Sequence, residues 1–295
     1  MTINKSELYR WCAIPWTELV NHPERKIPFR IVDDSAAMGA LMARELVDEI
    51  KTHNQQGKPT RAIVPCGPTC WYRPFTDLVN HERVSLKNLV VFHMDESLDW
   101  QGKTLPAGHP FNFKHYMLTH FYNPVDPALA VPEENRHWLL PDNYQQITET
   151  ILSTEIDITY GGWGQDGHIA YNQARRQPFS PLSIEELANS TARMQENNLD
   201  TVLAIAQRNF GCAYQFVPPM SVTLGVKECL SAKKVRLWSD TGAWKQTALR
   251  VALFGPLTPE YPFTLLQNHP DALLTATVAT AMHPISEHPE WDLGV

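Results

Sequence analysis

An aspartate and a histidine lie inside a glycine-rich turn near the middle of the chain. The run over 161–168 contains four glycines, with Asp166 and His168 as its titratable side chains. Glycine lets a backbone turn sharply and approach a ligand closely. Imidazole side chains titrate near neutrality, so a histidine with a nearby carboxylate suits acid–base chemistry. The structural alternative is that Asp166 caps a helix beginning near His168, and that the histidine has no chemical role.

A second acid, Asp95, follows an apolar segment that is typical of a buried strand. A carboxylate at such a strand end can take a proton from a carbon next to a carbonyl or imine, if its pKa is tuned toward neutrality. The alternative for Asp95 is a helix cap or a loop salt bridge. Glu96 comes next, and we expect it to be a neighbour of the site rather than a catalytic group.

The composition predicts a globular protein with a small-molecule ligand. The 295 residues are 43% hydrophobic and 19% charged, which is enough for one large or two small cores. A net charge of −7 without a dense basic run argues against nucleic acid, although a local basic pocket could still bind a phosphate. Five cysteines form no disulfide framework, and Cys66-x-x-x-Cys70 lacks a second ligand pair, so we expect no disulfide and no metal site. No signal-peptide pattern or membrane-length apolar run is visible, which predicts a cytoplasmic protein without membrane contact.

Strands and helices alternate along the chain, which predicts an α/β fold with a parallel sheet covered on both faces. Strands are expected over 29–32, 61–65, 89–93, 156–160, 222–225, 234–238 and 273–278. Helices are expected over 36–53, 72–80, 109–121, 147–152, 183–189 and 244–254. Ligands of such sheets bind beyond the carboxyl ends of the strands, where Asp95 and the glycine-rich turn both fall.

Three motifs carry a family resemblance. The chain resembles glucosamine-6-phosphate deaminases in Met94-Asp95-Glu96, in the pattern GG-x-G-x-DGH-I-A-Y-N over 161–172, and more weakly in the loop over 65–69. The related 6-phosphogluconolactonases share the G-x-G-x-DGH core, but the continuation over 169–172 favours the deaminases. The resemblance covers about 29–281. It implies a Rossmann-like three-layer fold in a single domain, 27–295, preceded by an N-terminal extension, 1–26.

The resemblance also implies roles for the titratable residues. Asp95 would be the base that moves a proton between two adjacent sugar carbons, His168 would open the sugar ring, and Asp166 would orient the imidazole or contact the sugar. Gln173 stands where the family has a glutamate that partners the histidine. A neutral amide can orient an imidazole but cannot hold it cationic, so ring opening is expected to be slower or the reaction to differ from ammonia release.

A phosphate site is implied beside these groups, at Cys66, Gly67, Thr69 and Lys245. Pro68 has no N–H, so one donor of the family's loop is lost. At the position of the family's lid arginine our alignment places Asn197, with Arg193 as the nearby substitute. Three aromatic residues beside the motifs could stack on a sugar or fill the core: Trp71, Trp163 and Tyr171.

Three functions remain open from the sequence. The leading hypothesis is an aldose–ketose isomerase or deaminase acting on an amino-sugar phosphate or a close analogue. It requires no cofactor and no metal, because the reaction consists of proton transfers. The second is a sugar-phosphate lactone hydrolase, and the third is a sugar-phosphate-binding relative that has lost its chemistry. A homo-oligomer is possible on any of the three.

Overall fold

The computed structural model describes residues 3–175 and 179–295. Its main element is a seven-stranded sheet in which every neighbouring pair is parallel, in the order β1-β10-β9-β6-β2-β3-β5. The strands of this sheet are β1 Phe29–Val32, β2 Thr60–Val64, β3 Leu89–His93, β5 Arg136–His137, β6 Ile158–Gly161, β9 Lys234–Ser239 and β10 Ala272–Thr277. This is the parallel α/β sheet that the alternating pattern predicts.

Side chains of the central strands are buried on both faces of the sheet. In β2, Ala62 and Val64 join one apolar cluster, while Ile63 between them joins another. Successive side chains of a strand point to opposite faces, so the two clusters are the two interfaces between sheet and helices. The fold therefore has three layers, as expected for a parallel sheet.

Helices cover the sheet on both sides. The longer ones are α1 Lys5–Cys12, α2 Ser35–Gln55, α3 Tyr72–His81, α5 Tyr144–Leu152, α7 Leu199–Asn209 and α9 Gln246–Phe254. The shorter ones are α4 Phe113–Met117, α6 Ile184–Ala188, α8 Val226–Cys229, α10 Val278–Ala281 and α11 Pro284–Glu287. Residues of α2 and α3 pack into one apolar cluster, and residues of α5 and α9 pack into the other.

A second, three-stranded antiparallel sheet stands beside the main one. It has the order β4-β8-β7, from Asp95–Leu98, Met220–Thr223 and Arg193–Glu196. A strand over 222–225 is expected from the sequence and overlaps β8, whereas β4 and β7 are not expected. Both are four residues long and mostly polar, so they lack the apolar run or clear alternation by which a strand is recognised.

The helix expected over 109–121 begins later than predicted. Residues 113–117 are α-helical and Leu118–Tyr122 continue as a π-helical turn, whereas 106–112 form turns. The side chain of Asn112 accepts a hydrogen bond from the N–H of His115 at 2.8 Å, and this cap sets the start of α4.

The segment before β1 packs against the body of the protein. Trp11 and Leu19 are buried in the main apolar cluster, and the carbonyl of Ile14 accepts a hydrogen bond from the buried Arg250 at 3.1 Å. Within the described residues, no helix combines the length and apolar character needed to cross a membrane.

Candidate active site

A cavity of about 460 Å³ opens at the carboxyl-terminal edge of the main sheet. Four neighbouring strands, β9, β6, β2 and β3, end at this edge, and the segment after each of them lines the cavity. Parallel strands bring their carboxyl ends to one edge, and this is where such sheets bind ligands. The volume lies within the usual range for small-molecule sites.

Asp95 lines the cavity where the chain passes from β3 into β4. Burial, and secondly the adjacent Glu96 carboxylate, raise the pKa of Asp95 to about 7. Desolvation disfavours the charged form of an acid, and a like charge nearby adds to that effect. A carboxylate with a pKa near neutrality is suited to accepting a proton from a carbon acid and giving it back.

Glu96 is buried and has a structural role. Its carboxylate accepts hydrogen bonds from the N–H groups of Phe113 and Lys114, each at 2.8 Å, and from its neighbour Ser97 at 2.9 Å. Burial raises the pKa of Glu96, although these hydrogen bonds act in the opposite direction. Glu96 thus fixes the first turn of α4 next to Asp95.

His168 and Asp166 form a hydrogen-bonded pair. Nδ1 of His168 lies 2.6 Å from Oδ1 of the fully buried Asp166, and the imidazole lines the cavity. Burial raises the pKa of Asp166, but attraction and hydrogen bonding to His168 outweigh it and lower that pKa to about 2. The aspartate is therefore ionised and can fix the orientation of the ring.

Two glycines allow the histidine to sit in this position. A Cβ on Gly164 would lie 2.1 Å from the imidazole ring, so only glycine leaves room for it. Gly167 has a φ of +72°, a conformation that favours glycine. In the described residues no helix begins near His168, and the next helix after the turn is α6. The helix-cap alternative for Asp166 therefore does not hold.

The side chain of Gln173 forms hydrogen bonds with helix α7 and with Asn198, the residue just before that helix. Its Nε2 donates to Oγ1 of Thr201 at 2.6 Å, and its Oε1 accepts from the N–H of Asn198 at 2.7 Å. Asn198 in turn donates to the carbonyl of Ala174 at 2.5 Å. Both polar groups of the Gln173 side chain thus tie the glycine-rich segment to the start of α7. The role of Gln173 in ring opening stays a prediction.

Two cations lie together at the β9 end of the cavity. Lys245, in the turn between β9 and α9, and Arg208, in the last turn of α7, both line it. Burial, and secondly the positive charge of Arg208, lower the pKa of Lys245 to about 8. Gly67 and Thr69 of the loop after β2 line the same cavity, as does Cys66. The predicted phosphate-binding residues are thus brought together.

Arg208 lines the cavity although no sequence motif points to it. The two residues expected to act as the family's lid arginine, Arg193 and Asn197, use their side chains in other hydrogen bonds. Arg193 donates to the side chain of Asn172 at 2.9 Å, and Asn197 donates to the carbonyl of Pro218 at 2.9 Å. The available signal was the apolar spacing of Leu199, Val202, Leu203 and Ala206, which predicts a helix through Arg208.

The three aromatic residues beside the motifs separate into two groups. Trp71 is fully buried in the helix-covered core and does not line the cavity. Trp163 and Tyr171 are buried too, but both line the cavity. The ring of Tyr171 is nearly parallel to that of His168, with their centroids 6.2 Å apart.

Cys66 lines the cavity as an unreactive thiol. Burial, and secondly the carboxylate of Asp95, raise its pKa far above the ordinary value, so the thiol stays protonated. Within residues 3–175 and 179–295, no group of three or more histidine, cysteine, aspartate or glutamate side chains is placed to hold a metal ion.

The fold and site define an α/β protein with a ligand cavity at the carboxyl edge of its parallel sheet, and sequence relatives identify the family. The chain is 30% identical over 260 residues to a glucosamine-6-phosphate deaminase of Phocaeicola vulgatus, covering 84% of this chain and 90% of that protein. It is 32% identical over 248 residues to one of Aliivibrio fischeri, covering 80% and 85%. No family model matches the chain. The chain belongs to the glucosamine-6-phosphate deaminase family, and the expectation of an enzyme of the deaminase/isomerase type is confirmed.

Solved structures show the same fold. A monomeric glucosamine-6-phosphate deaminase superposes with a TM-score of 0.72 at 21% identity, over 86% of this chain and 98% of that one. A 6-phosphogluconolactonase from Trypanosoma cruzi superposes with a TM-score of 0.60 at 16% identity, over 86% and 95%. These likenesses confirm the Rossmann-like three-layer fold.

Proposed function

We propose that this protein is a deaminase/aldose–ketose isomerase acting on an amino-sugar phosphate, either glucosamine 6-phosphate or a close analogue. One observation carries the proposal. A carboxylate with a pKa near 7, a histidine held by a buried aspartate, and a pair of cations line a single cavity.

The cation pair is suited to the phosphate. Lys245 and Arg208 line the same cavity, where Asp240 attracts both cations and Asp166, which is paired with His168, also attracts Lys245. Thr69 adds a hydroxyl, and Gly67 leaves open space where any other residue would place a Cβ. Charge-assisted hydrogen bonds to a phosphate are stronger than neutral ones, and they would fix the position of the sugar.

Ring opening is the task of His168. Its imidazole would carry the proton between the ring oxygen and the hydroxyl on C1, while Asp166 holds the tautomer and orientation. Gln173 acts on this step only indirectly in our proposal, through the segment that it ties to α7.

Asp95 would then take the proton from C2 of the open-chain sugar and return it to C1, while the aldehyde oxygen takes a proton from the imidazolium of His168 and becomes the C1 hydroxyl. This turns the C2–nitrogen single bond into an iminium, which water hydrolyses to a ketone with release of the amine. Atoms and electrons balance without an oxidant or reductant. With a 2-hydroxy sugar in place of the amino sugar, the same proton transfer is a plain aldose–ketose isomerisation.

A screen of sugar phosphates tests the proposal. Glucosamine 6-phosphate, galactosamine 6-phosphate, glucose 6-phosphate and 6-phosphogluconolactone are incubated with the protein, and ammonia, ketose phosphate and acid are measured separately. Ketose phosphate is expected from at least one amino-sugar phosphate, with one ammonia per ketose. Release of acid from the lactone without any ketose would instead support the lactone hydrolase. Tight binding without any product would support the binding-only relative.

The lactone hydrolase is the second candidate, because 6-phosphogluconolactonases share the fold. His168 could activate water in that reaction, but the reaction removes no proton from carbon, so Asp95 would have no role as a base. The raised pKa of Asp95 therefore favours the deaminase/isomerase.

A further inference from the structure

Three aromatic side chains line the cavity on the side of Asp95 and α4. Phe111, Phe113 and Tyr116, here called the aromatic wall, come from the start of α4 and the turn before it. Their rings are only partly buried, and the rings of Phe111 and Phe113 lie 6.2 Å apart. Ile205 of α7 lines the cavity as well and belongs to the small apolar cluster that includes Phe111.

The order of the strands places this wall beside Asp95. Along the edge, β9 contributes the turn to Lys245, β6 the turn with His168, β2 the loop with Thr69, and β3 the end with Asp95. Neighbouring strands are ~4.8 Å apart, so the cation end and the Asp95 end are roughly 14 Å apart. The aromatic wall adjoins the Asp95 end, because Glu96 bonds the N–H of Phe113 at 2.8 Å.

The cavity is larger than a hexosamine phosphate requires. At the close packing of ordered interiors, such a molecule would fill roughly half of the 460 Å³. With the phosphate at Lys245 and Arg208, and C1 and C2 at Asp95, the space along the aromatic wall lies beyond the C1–C2 end of the sugar.

Among the described residues, the aromatic wall itself contributes no charged side chain to the cavity. In the part of the chain that the structure describes, the lysine and arginine that line the cavity are Lys245, in the turn after β9, and Arg208, in the last turn of α7. Lys114, next to Phe113, lies over the ring of Trp138 instead. Burial of an unpaired charge is costly, so this space is suited to an apolar group.

We propose that the aromatic wall binds an apolar substituent on the amino nitrogen of the sugar phosphate, so that the preferred substrate is an N-alkyl or N-aryl amino-sugar phosphate. This rests on the proposed function. The reaction is the same as for the free amine: the proton moves from C2 to C1, the iminium carries the substituent on nitrogen, and water releases a primary amine in place of ammonia.

Binding tests the subsite without depending on turnover. Dissociation constants are measured by calorimetry for glucosamine 6-phosphate and its N-butyl derivative in the Asp95→Asn variant, which cannot use Asp95 as a base. The butyl group is expected to tighten binding about tenfold or more, because it removes apolar surface from water. An N-(3-carboxypropyl) derivative of equal length is the control ligand, and it should bind no more tightly than glucosamine 6-phosphate.

Variants of the wall locate the effect. Phe113→Ala and Phe111→Ala, each combined with Asp95→Asn, should reduce the N-butyl preference by about fivefold or more. Phe216→Ala is the control, since Phe216 is 65% exposed and does not line the cavity. The N-butyl preference is the ratio of two dissociation constants measured in the same protein. Partial unfolding of a variant changes both constants by the same factor, so it does not change their ratio.

The outcomes separate the subsite from the function. If N-butyl and unsubstituted ligands bind equally, if the carboxylate derivative binds best, or if the wall variants keep the preference, the subsite is overturned. If the preference is present but wild-type protein forms ketose phosphate from neither sugar, the subsite stands and the proposed function fails. Both the subsite and the proposed function would be supported if the N-butyl sugar gives ketose phosphate and butylamine in equal amounts. The kcat/KM for this reaction should then exceed that for ammonia release from glucosamine 6-phosphate.

Discussion

In the proposed reaction, Asp95 and Lys245 have opposite pH requirements. The pKa of Asp95 is raised to about 7 by burial and by Glu96, and it must be ionised to accept a proton. The pKa of Lys245 is lowered to about 8 by burial and by Arg208, and it must be protonated to attract a phosphate. Activity should therefore rise with pH through about 7 and fall through about 8.

The acid limb of this profile can be assigned to Asp95. We predict that Asp95→Asn lowers turnover by about two orders of magnitude or more, because the amide cannot accept the proton. Glu96→Gln should instead keep the base and move the acid limb to lower pH, since loss of a neighbouring negative charge eases ionisation of Asp95; its NH2 group cannot accept one of the backbone bonds that Glu96 accepts, so stability is expected to fall as well. The measurement is kcat/KM against pH for each protein. Turnover of Asp95→Asn near the wild-type rate on the true substrate would remove Asp95 from the mechanism.

The alkaline limb can be assigned to Lys245. We predict that Lys245→Met weakens binding of the phosphorylated ligand by about tenfold or more while it barely changes binding of the unphosphorylated sugar. Lys245→Arg should keep binding and abolish the alkaline limb, because a guanidinium stays charged throughout this range. Equal losses for both ligands in Lys245→Met would show that this lysine does not contact the phosphate.

At the scale of secondary-structure elements, α7 forms one wall of the cavity. Thr201 and Ala204 line the cavity near the start of the helix, and Arg208 lines it near the end. Gln173 bonds the start of the helix through Thr201 and Asn198. The position of Arg208 is therefore coupled to Gln173, about two helical turns away.

We predict that Gln173→Ala raises KM for the phosphorylated substrate by about tenfold, with a smaller effect on kcat, and costs ~2 kcal/mol of stability through the two lost hydrogen bonds. Gln173→Glu should keep both contacts, because its carboxylate accepts from the Asn198 N–H and from the Thr201 hydroxyl. Steady-state kinetics and urea unfolding of both variants measure these effects.

The two variants also test the family's use of this position. If Gln173→Glu raises the rate of ammonia release from glucosamine 6-phosphate, the side chain acts on His168, as the resemblance to the deaminases implies. An unchanged KM in Gln173→Ala would mean that α7 keeps Arg208 in place without this link.

At the scale of the whole molecule, the N-terminal segment contributes to the core. Trp11 is 3% exposed and packs in the main apolar cluster, although it lies before the first strand. We predict that Trp11→Ala lowers the free energy of unfolding by ~3–5 kcal/mol, as truncation of a buried tryptophan usually does. Trp100, which is 75% exposed, provides the control, and Trp100→Ala should change stability by less than ~0.5 kcal/mol. Chemical unfolding followed by circular dichroism measures both, and equal small effects would mean that the segment is not part of the folding unit.

The sequence by itself determined the architecture and the positions of Asp95 and His168 in the site. Apolar runs separated by amphipathic segments require a parallel sheet between helices, because only that arrangement buries strands on both faces. The same pattern places Asp95 and His168 at strand ends, and parallel strands bring those ends to one edge. These are local signals, and each of them is contained in a stretch of ten to twenty residues.

Only the tertiary structure decided which distant side chains join them. Arg208 comes from a helix more than a hundred residues after Asp95, and it reaches the cavity because α7 packs across the edge of the sheet. In the sequence motif Gln173 stands at a catalytic position of the family. Its hydrogen bonds are nevertheless made with the start of α7, which lies outside the motif over 161–173. The aromatic wall likewise depends on Glu96 capping α4 beside the cavity. Such contacts follow from packing between elements that are far apart in the chain, and local periodicity carries no information about them.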